Sequence, residues 1–391
     1  MRITGVETIP LVYDMPYPLT YARGEYQTRE ALLVRIHTSD PSITGWGEAA
    51  MWGGPHSVSA KIIEDEIAPL ISGEDPRRPE YLWEKVYQST YYHGRKGMLI
   101  GCLSGVDIAL WDILGKCAGE PLWRIFGGFA RPLTTYASAG YYRRNYDLDA
   151  FAADVDKAAK AGYRGYKMKI GNIPQVLHGG VLNDVPLRGS FEDDVERVKT
   201  AREALGSRNL MVDANTSLSS RMAMRYAQAI EPLNIRWFEE PTQPEDIEGC
   251  AEVARRTRIP IAGFETETGK YQFARLMDAG ALQMVQFDVI QVGGFTEARK
   301  IAAYAQMRHL PVTAKNYSTA ISNAATLQLL YALPNADYFE CDQDPNELRD
   351  RIARAPLFKF DDGMAAPGGG PGLGIEIDET ALERYRAKAP Y

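Results

Sequence analysis

From residue 132 onward, short apolar runs alternate with longer amphipathic ones. The apolar runs cover 134–137, 163–169, 210–213, 235–239, 260–265, 283–288, 311–315 and 337–340. Runs of this length between helical stretches read as strands of a parallel sheet, and eight in succession predict a (β/α) barrel that closes on itself. The first third of the chain has another character. Residues 3–13 and 31–37 are apolar-rich and partly alternating, as half-buried strands are. Between them, 15–30 is rich in Pro, Tyr and charge and reads as a loop, and 45–54 reads as a second, Gly-rich loop. Helical periodicity follows over 59–71 and 79–87, then in the apolar stretch 105–116. Strands first and helices after make this an α+β unit. After Glu340 the chain leaves the barrel, and 365–374, with five glycines and two prolines, reads as a connecting loop before a last strand and helix. The expected division is 1–130 for the α+β domain, 131–355 for the barrel and 356–391 for a C-terminal segment.

Composition narrows the partners. A chain of 391 residues with 45% hydrophobic and 24% charged residues can bury a large core. A net charge of -7 argues against nucleic acid or an anionic membrane as the main partner, but leaves room for a small anionic substrate bound by local lysines. The four cysteines, Cys102, Cys117, Cys250 and Cys341, form no CxxC and no disulfide framework, so a reducing cytoplasm fits best. The N-terminus has no basic segment followed by an apolar core, and the apolar run from Met98 is interrupted by Asp107 and Asp112, so neither a secretion signal nor a membrane span is expected. We expect a small-molecule partner and a homo-oligomeric assembly.

The chemistry gathers at the strand ends. Asp213 to Glu239 is 26 positions, Glu239 to Glu265 26, Glu265 to Asp288 23, Asp288 to Lys315 27 and Lys315 to Glu340 25. In a barrel these ends form one rim, where active sites are built. Lys167 and Lys169 share one face of their strand, because side chains alternate with period two. Two ammonium groups side by side lower the pKa of at least one, which is how a lysine becomes a usable base near neutral pH. Taken alone, the pair reads first as the wet face of an edge strand, since exposed lysine is the norm; what changes that reading lies downstream. One interval breaks the period: Lys169 to Asp213 is 44, and the surplus lies in 172–190, which reads either as a lid or as a surface excursion.

Asp213, Glu239 and Glu265 are three carboxylates at equal spacing on consecutive strand ends. Three anions cannot converge without a cation, and hard oxygen ligands without His or Cys select Mg²⁺. Any one of them alone would also suit an unrelated surface carboxylate. The chain here resembles the enolase superfamily, and within it the mandelate racemase branch of acid-sugar dehydratases and racemases. The likeness is carried by Gly105-Val106-Asp107-Ile108-Ala109-Leu110-Trp111-Asp112 with Gly115-Lys116, by Lys167-Met168-Lys169, by Val212-Asp213-Ala214-Asn215, by Trp237-Phe238-Glu239-Glu240-Pro241, by Gly263-Phe264-Glu265, and by Asp288 before Gly293-Gly294.

The resemblance implies a modified (β/α)8 barrel under a capping domain made from both termini, whose loops 15–30 and 45–54 close on the substrate. It implies one Mg²⁺ per subunit on Asp213, Glu239 and Glu265, with Glu240 and Glu267 as rival carboxylates. It also implies removal of a proton next to a carboxylate, with the ion stabilising the resulting enediolate. On this reading Lys169 is the base, its pKa lowered by Lys167 and the metal, and Lys167 binds the substrate carboxylate. Glu340 matches a strand-eight carboxylate that, when protonated, donates a hydrogen bond to the enediolate; it reads otherwise as a plain rim charge.

The chain departs from the pattern at strand seven, where Val312-Thr313-Ala314-Lys315-Asn316 stands in place of a histidine that pairs with the strand-six aspartate. We expect Asp288 to pair with Lys315, raising the lysine pKa and making it a proton donor; the same pair would also serve as a brace. An acid opposite a base favours dehydration to a 2-keto-3-deoxy acid, while a lysine on each side keeps an epimerase, racemase or cycloisomerase in play. A sugar-acid binder that retains the metal site without turnover is the reading from another class. Tyr21, Arg23, His93 and Arg188 are candidate distal contacts.

Overall fold

A computed structural model describes residues 1–50, 54–174 and 184–387. The parts of the expected loops 45–54 and 172–190 that fall at 51–53 and 175–183 lie outside the described residues.

The N-terminal unit is a three-stranded antiparallel sheet, β1 (Ile3–Tyr21), β2 (Gly24–Thr38) and β3 (Thr44–Ala49), with β2 in the middle. Residues 15–30, expected as a loop, and 45–49 of the second expected loop are largely strand instead. Residues 15–30 form the far end of the β1–β2 hairpin: pairing is interrupted between Asp14 and Leu19, where Pro16 and Pro18 sit, and resumes with Leu19 opposite Tyr26 and Tyr21 opposite Gly24. The prolines that suggested a loop mark this irregularity. The glycines of 45–49 mark a close approach. A Cβ on Gly47 would lie 1.9 Å from the Gly105 carbonyl oxygen and one on Gly45 2.2 Å from that of Ala109, so only glycine lets β3 lie on the helix Met98–Ala118. That helix is long and apolar enough to cross a membrane, yet nearly every residue from Leu99 to Ile113 is buried by protein.

The second unit is a closed barrel of eight parallel strands: β4 (Leu133–Ser138), β5 (Gly165–Lys169), β6 (Asn209–Asp213), β7 (Ile235–Glu239), β8 (Ile261–Gly263), β9 (Met284–Asp288), β10 (Val312–Lys315) and β11 (Ala336–Asp342), with β11 pairing back to β4. All eight predicted strands are present. Registers align the ends: Lys169 lies opposite Asp213, Asp213 opposite Glu239, and Lys315 opposite Asp288. Tyr136, Met211, Trp237, Ala262, Met284 and Tyr338 fill the barrel interior as one cluster.

The C-terminal segment does more than connect. A hairpin of β12 (Phe358–Asp361) and β13 (Met364–Pro367) pairs with the start of β4, so the stretch from 365 begins as a strand. Beyond it, Leu373 N donates to Asp112, Ala353 bridges Ile377, and the chain after the helix Glu379–Tyr385 returns to β1 through an Arg386–Leu11 bridge. The two units are keyed by Asp107, which accepts from Thr296 N (2.9 Å) and Oγ1 (2.6 Å). A Cβ on Gly294 would fall 2.3 Å from the Asp107 carboxylate, and its φ of +71° is one that other residues avoid.

Candidate active site

The β1–β2 hairpin ends over the C-terminal rim of the barrel and covers a cavity of about 370 Å³. Lys169 from β5 and Lys315 from β10 face it, with Glu240, Glu265 and Asn215 beside them. Tyr21, Arg23 and Tyr26 from the hairpin and Tyr141 and Tyr317 from the barrel also line it. The rings of Tyr21 and Tyr26 stack 5.0 Å apart, and Arg23 donates to the Thr216 carbonyl (3.3 Å), fastening the hairpin tip to the loop after β6.

Each of the three carboxylates expected as metal ligands faces an ammonium. Lys169 Nζ lies 2.5 Å from Asp213, Lys167 Nζ 2.6 Å from Glu239, and Lys315 Nζ donates to Glu265. Lys167 also pairs with Glu340 at 2.8 Å. The second oxygens of two of these acids are used as well: Asp213 accepts from Asn215 N (2.8 Å) and Glu239 from Trp237 Nε1 (3.0 Å). Period-two alternation does send Lys167 and Lys169 the same way, but depth separates them. Lys167 is buried beneath the cavity between two carboxylates, while Lys169 reaches its wall.

The electrostatics correct three expectations. Burial pulls the Lys169 pKa down and is the largest single effect, but the carboxylates of Asp213, Glu265 and Glu239 together outweigh it, and the net direction is up, not down. Burial pushes Glu340 up, yet Lys167 and Lys315 hold it below the ordinary carboxylate range, so Glu340 is an ionised acceptor of Lys167 and of Asn316 N (2.9 Å), not a protonated donor. Lys315 pairs with Glu265 and not with Asp288, its register neighbour: its four-carbon stem crosses β9 to the end of β8. Asp288 Oδ1 accepts from Ile290 N, its Oδ2 has no hydrogen-bond partner among the described residues, and burial pushes its pKa well up against the opposing charge of Lys315.

Of the distal candidates, Tyr21 and Arg23 line the cavity. His93 is exposed and pairs with Glu66 at 3.2 Å, away from it, and Arg188 is tied to the carbonyls of Ile173 (2.8 Å) and Ala22 (3.3 Å). Of the rival acids, Glu267 is absent from the lining, whereas Glu240 is part of it and accepts from Glu265 N (2.9 Å). Sequence reasoning passed over Tyr26, Tyr141, Gln243 and Tyr317. Only Tyr317 carried a signal, two positions past Lys315.

The donor set fits a hard divalent cation. Six buried acids, Asp213, Glu239, Glu240, Glu265, Asp288 and Glu340, meet three lysine ammoniums, Lys167, Lys169 and Lys315. The deficit shows in Glu239, pushed up to about 7 by burial, and in Glu240 and Asp288, which burial also raises. Glu265 Oε2 is buried without a hydrogen-bond partner among the described residues, as is Asn215 Oδ1. Every available donor is oxygen, the chemistry Mg²⁺ prefers. No three acid side chains among the described residues already converge on a metal-sized point.

Comparison with known proteins agrees with this architecture. Residues 4–127 match the mandelate racemase / muconate lactonizing enzyme N-terminal domain, and 150–381 match the enolase C-terminal domain-like model. The chain is 34% identical to arabinonate dehydratase of Saccharolobus solfataricus over 92% of this chain and 91% of that one. It is 32% identical to D-galactarolactone cycloisomerase of Agrobacterium fabrum over 100% of both. A crystal structure of a racemase from Streptomyces coelicolor with bound magnesium superposes with a TM-score of 0.87 at 30% identity, covering 98% of this chain and 100% of that one. A barrel rim of paired lysines and acids under an N-terminal cap, matched along most of its length, assigns the chain to the mandelate racemase / muconate lactonizing enzyme family of the enolase superfamily.

Proposed function

We propose that this enzyme is a Mg²⁺-dependent dehydratase of a hydroxylated sugar acid. The observation that carries the reading is the pair of lysines, Lys169 and Lys315, facing one cavity from different strands of the barrel, each against its own carboxylate. Asp213, Glu239 and Glu265 would hold the ion, which supplies positive charge against the substrate carboxylate as negative charge develops on it. Lys169 takes the proton from the carbon next to that carboxylate. The bond from the adjacent carbon to its hydroxyl breaks, and Lys315 gives the departing hydroxide a proton. One water is lost, and the resulting enol becomes the 2-keto-3-deoxy acid. Lys169 is a poor base while it faces ionised Asp213; drawing that carboxylate's charge onto a cation removes what holds its proton. Arg23, Tyr21 and the other wall tyrosines offer donors and ring faces to the distal hydroxyls.

A second reading, a cycloisomerase using the same proton abstraction, is supported by the Agrobacterium relative, aligned over the whole of both chains. One experiment separates the two: incubation of the purified protein and Mg²⁺ with a library of acid sugars and their lactones, read by mass spectrometry. A dehydratase gives a keto acid lighter than its substrate by one water. A cycloisomerase gives a product isomeric with its substrate, which in D₂O is heavier only by the deuterium taken from solvent. Turnover of neither kind, with a ligand-dependent rise in Tm, would leave a binding protein.

A further inference from the structure

We propose that Arg197 and Asp194, on the helix Phe191–Leu205 that follows the long insertion, are positioning residues for Lys169. This rests on Lys169 being the base and goes beyond it. The helix grips the backbone on both sides of Ile170. Arg197 Nη1 donates to the Lys169 carbonyl (2.9 Å) and Nη2 to the Gly140 carbonyl (2.8 Å), and that same Gly140 oxygen accepts from Lys169 N (3.3 Å). Asp194 Oδ2 accepts from Gly171 N (2.7 Å) and Tyr226 OH (2.8 Å), while Oδ1 accepts from Tyr142 OH and lies 3.7 Å from Arg197. The guanidinium packs 4.1 Å from the Tyr142 ring centroid and 4.9 Å from that of Phe151, which fixes the plane of its fork.

The chemistry explains why such a clamp belongs here. A lysine side chain has four rotatable carbons and sets its own direction poorly, so the place of its ammonium depends on the Cα that carries it. Lys169 is the last residue of β5, where the ladder gives out. A planar guanidinium spans two carbonyls at once, which a single ammonium cannot do. Misplacing a catalytic group by about 1 Å costs on the order of 100-fold in rate. Neither Arg197 nor Asp194 lines the cavity, so their effect on the reaction passes through the backbone they hold.

The test compares Arg197→Met, Arg197→Lys and Asp194→Asn with the wild-type enzyme in three readouts: kcat and KM for α-hydrogen exchange in D₂O with Mg²⁺ and an acid sugar, Tm, and amide hydrogen exchange at Ile170 and Gly171. Arg197→Met is expected to lose about 10- to 100-fold in kcat, with KM changed less than about threefold and the Mg²⁺-dependent rise in Tm retained. Arg197→Lys should recover part of the loss, and Asp194→Asn should lower kcat without removing Mg²⁺ binding. A brace with no bearing on the reaction would lower Tm and leave kcat of the folded enzyme unchanged, and that result overturns the proposal. If Arg197→Met does not fold, Arg197→Lys alone decides by the same split of kcat from KM. If the wild-type protein exchanges no α-hydrogen with any acid sugar, the proposed reaction fails by itself. The clamp is then decided by the amides: faster exchange confined to Ile170 and Gly171 supports it, and unchanged protection there refutes it.

Discussion

The ammonium of Lys315 donates to Glu265 at the end of the β8 segment, although the residue beside it in the strand register is Asp288. This divides the strand-six to strand-seven rim differently from the way the sequence suggests. Lys315 pairs with a candidate metal ligand, and Asp288 is a buried acid whose Oδ2 has no hydrogen-bond partner among the described residues.

A first prediction follows for Lys315. If it protonates the departing hydroxide, Lys315→Ala should lower keto-acid formation by about 10²- to 10⁴-fold, the usual worth of a general acid. Exchange of the α-hydrogen should survive, since Lys169 still takes and returns the proton. Glu265→Gln should impair both exchange and product. Steady-state keto-acid assays beside deuterium incorporation check this, and equal loss of both signals in Lys315→Ala would refute the division of labour.

A second prediction concerns the ion. Mg²⁺ at 100 times its Kd should stabilise the protein by about 2.7 kcal/mol through mass action. Glu239→Gln removes one ligand and leaves Lys167 with Glu340 as its remaining carboxylate. The variant should stay folded and show little Mg²⁺-dependent rise in Tm by differential scanning fluorimetry. A rise equal to that of the wild type would rule Glu239 out as a ligand.

A third prediction concerns the joint between cap and barrel. Burial raises the Asp107 carboxyl to about 7, against an ordinary value near 3.9 in the unfolded chain. Between these values the folded protein holds a proton that the unfolded chain has released, so stability falls as pH rises from about 4 to about 7 and levels off above. A shift of this size is worth a few kcal/mol, on the order of 1.4 kcal/mol per unit. Asp107→Asn cannot titrate. The difference in urea-unfolding free energy between wild type and variant should move by a few kcal/mol, in the variant's favour, across that window; parallel curves would contradict the assignment.

How much of this was legible in the sequence varies by level. The barrel was, because each βα unit repeats one apolar run and one charged strand end, and the period survives inspection by eye from Asp213 to Glu340. The hairpin at 15–30 was not, since Pro16 and Pro18 are local signals for a loop and only long-range pairing shows the strands continuing past them. Glycines 45 and 47 were misread for the same reason: what they accommodate is the helix Met98–Ala118, remote in sequence. At the site, the alternation that aims Lys167 and Lys169 together was visible, but their different depths depend on how far each stem reaches among its neighbours. The partner of Lys315 depends likewise on a side chain crossing a strand, and strand order alone suggests Asp288.

The proposed reaction turns on Lys169 removing a proton next to a substrate carboxylate. The most direct measurement is mass-spectrometric deuterium incorporation into substrate and product in D₂O with Mg²⁺, comparing the wild-type enzyme with Lys169→Ala on an acid sugar the wild type turns over. The wild type is expected to label or dehydrate the sugar, and Lys169→Ala, folded and still binding Mg²⁺, to lose both signals by at least about 10²-fold. Retention of α-hydrogen exchange in Lys169→Ala would contradict it.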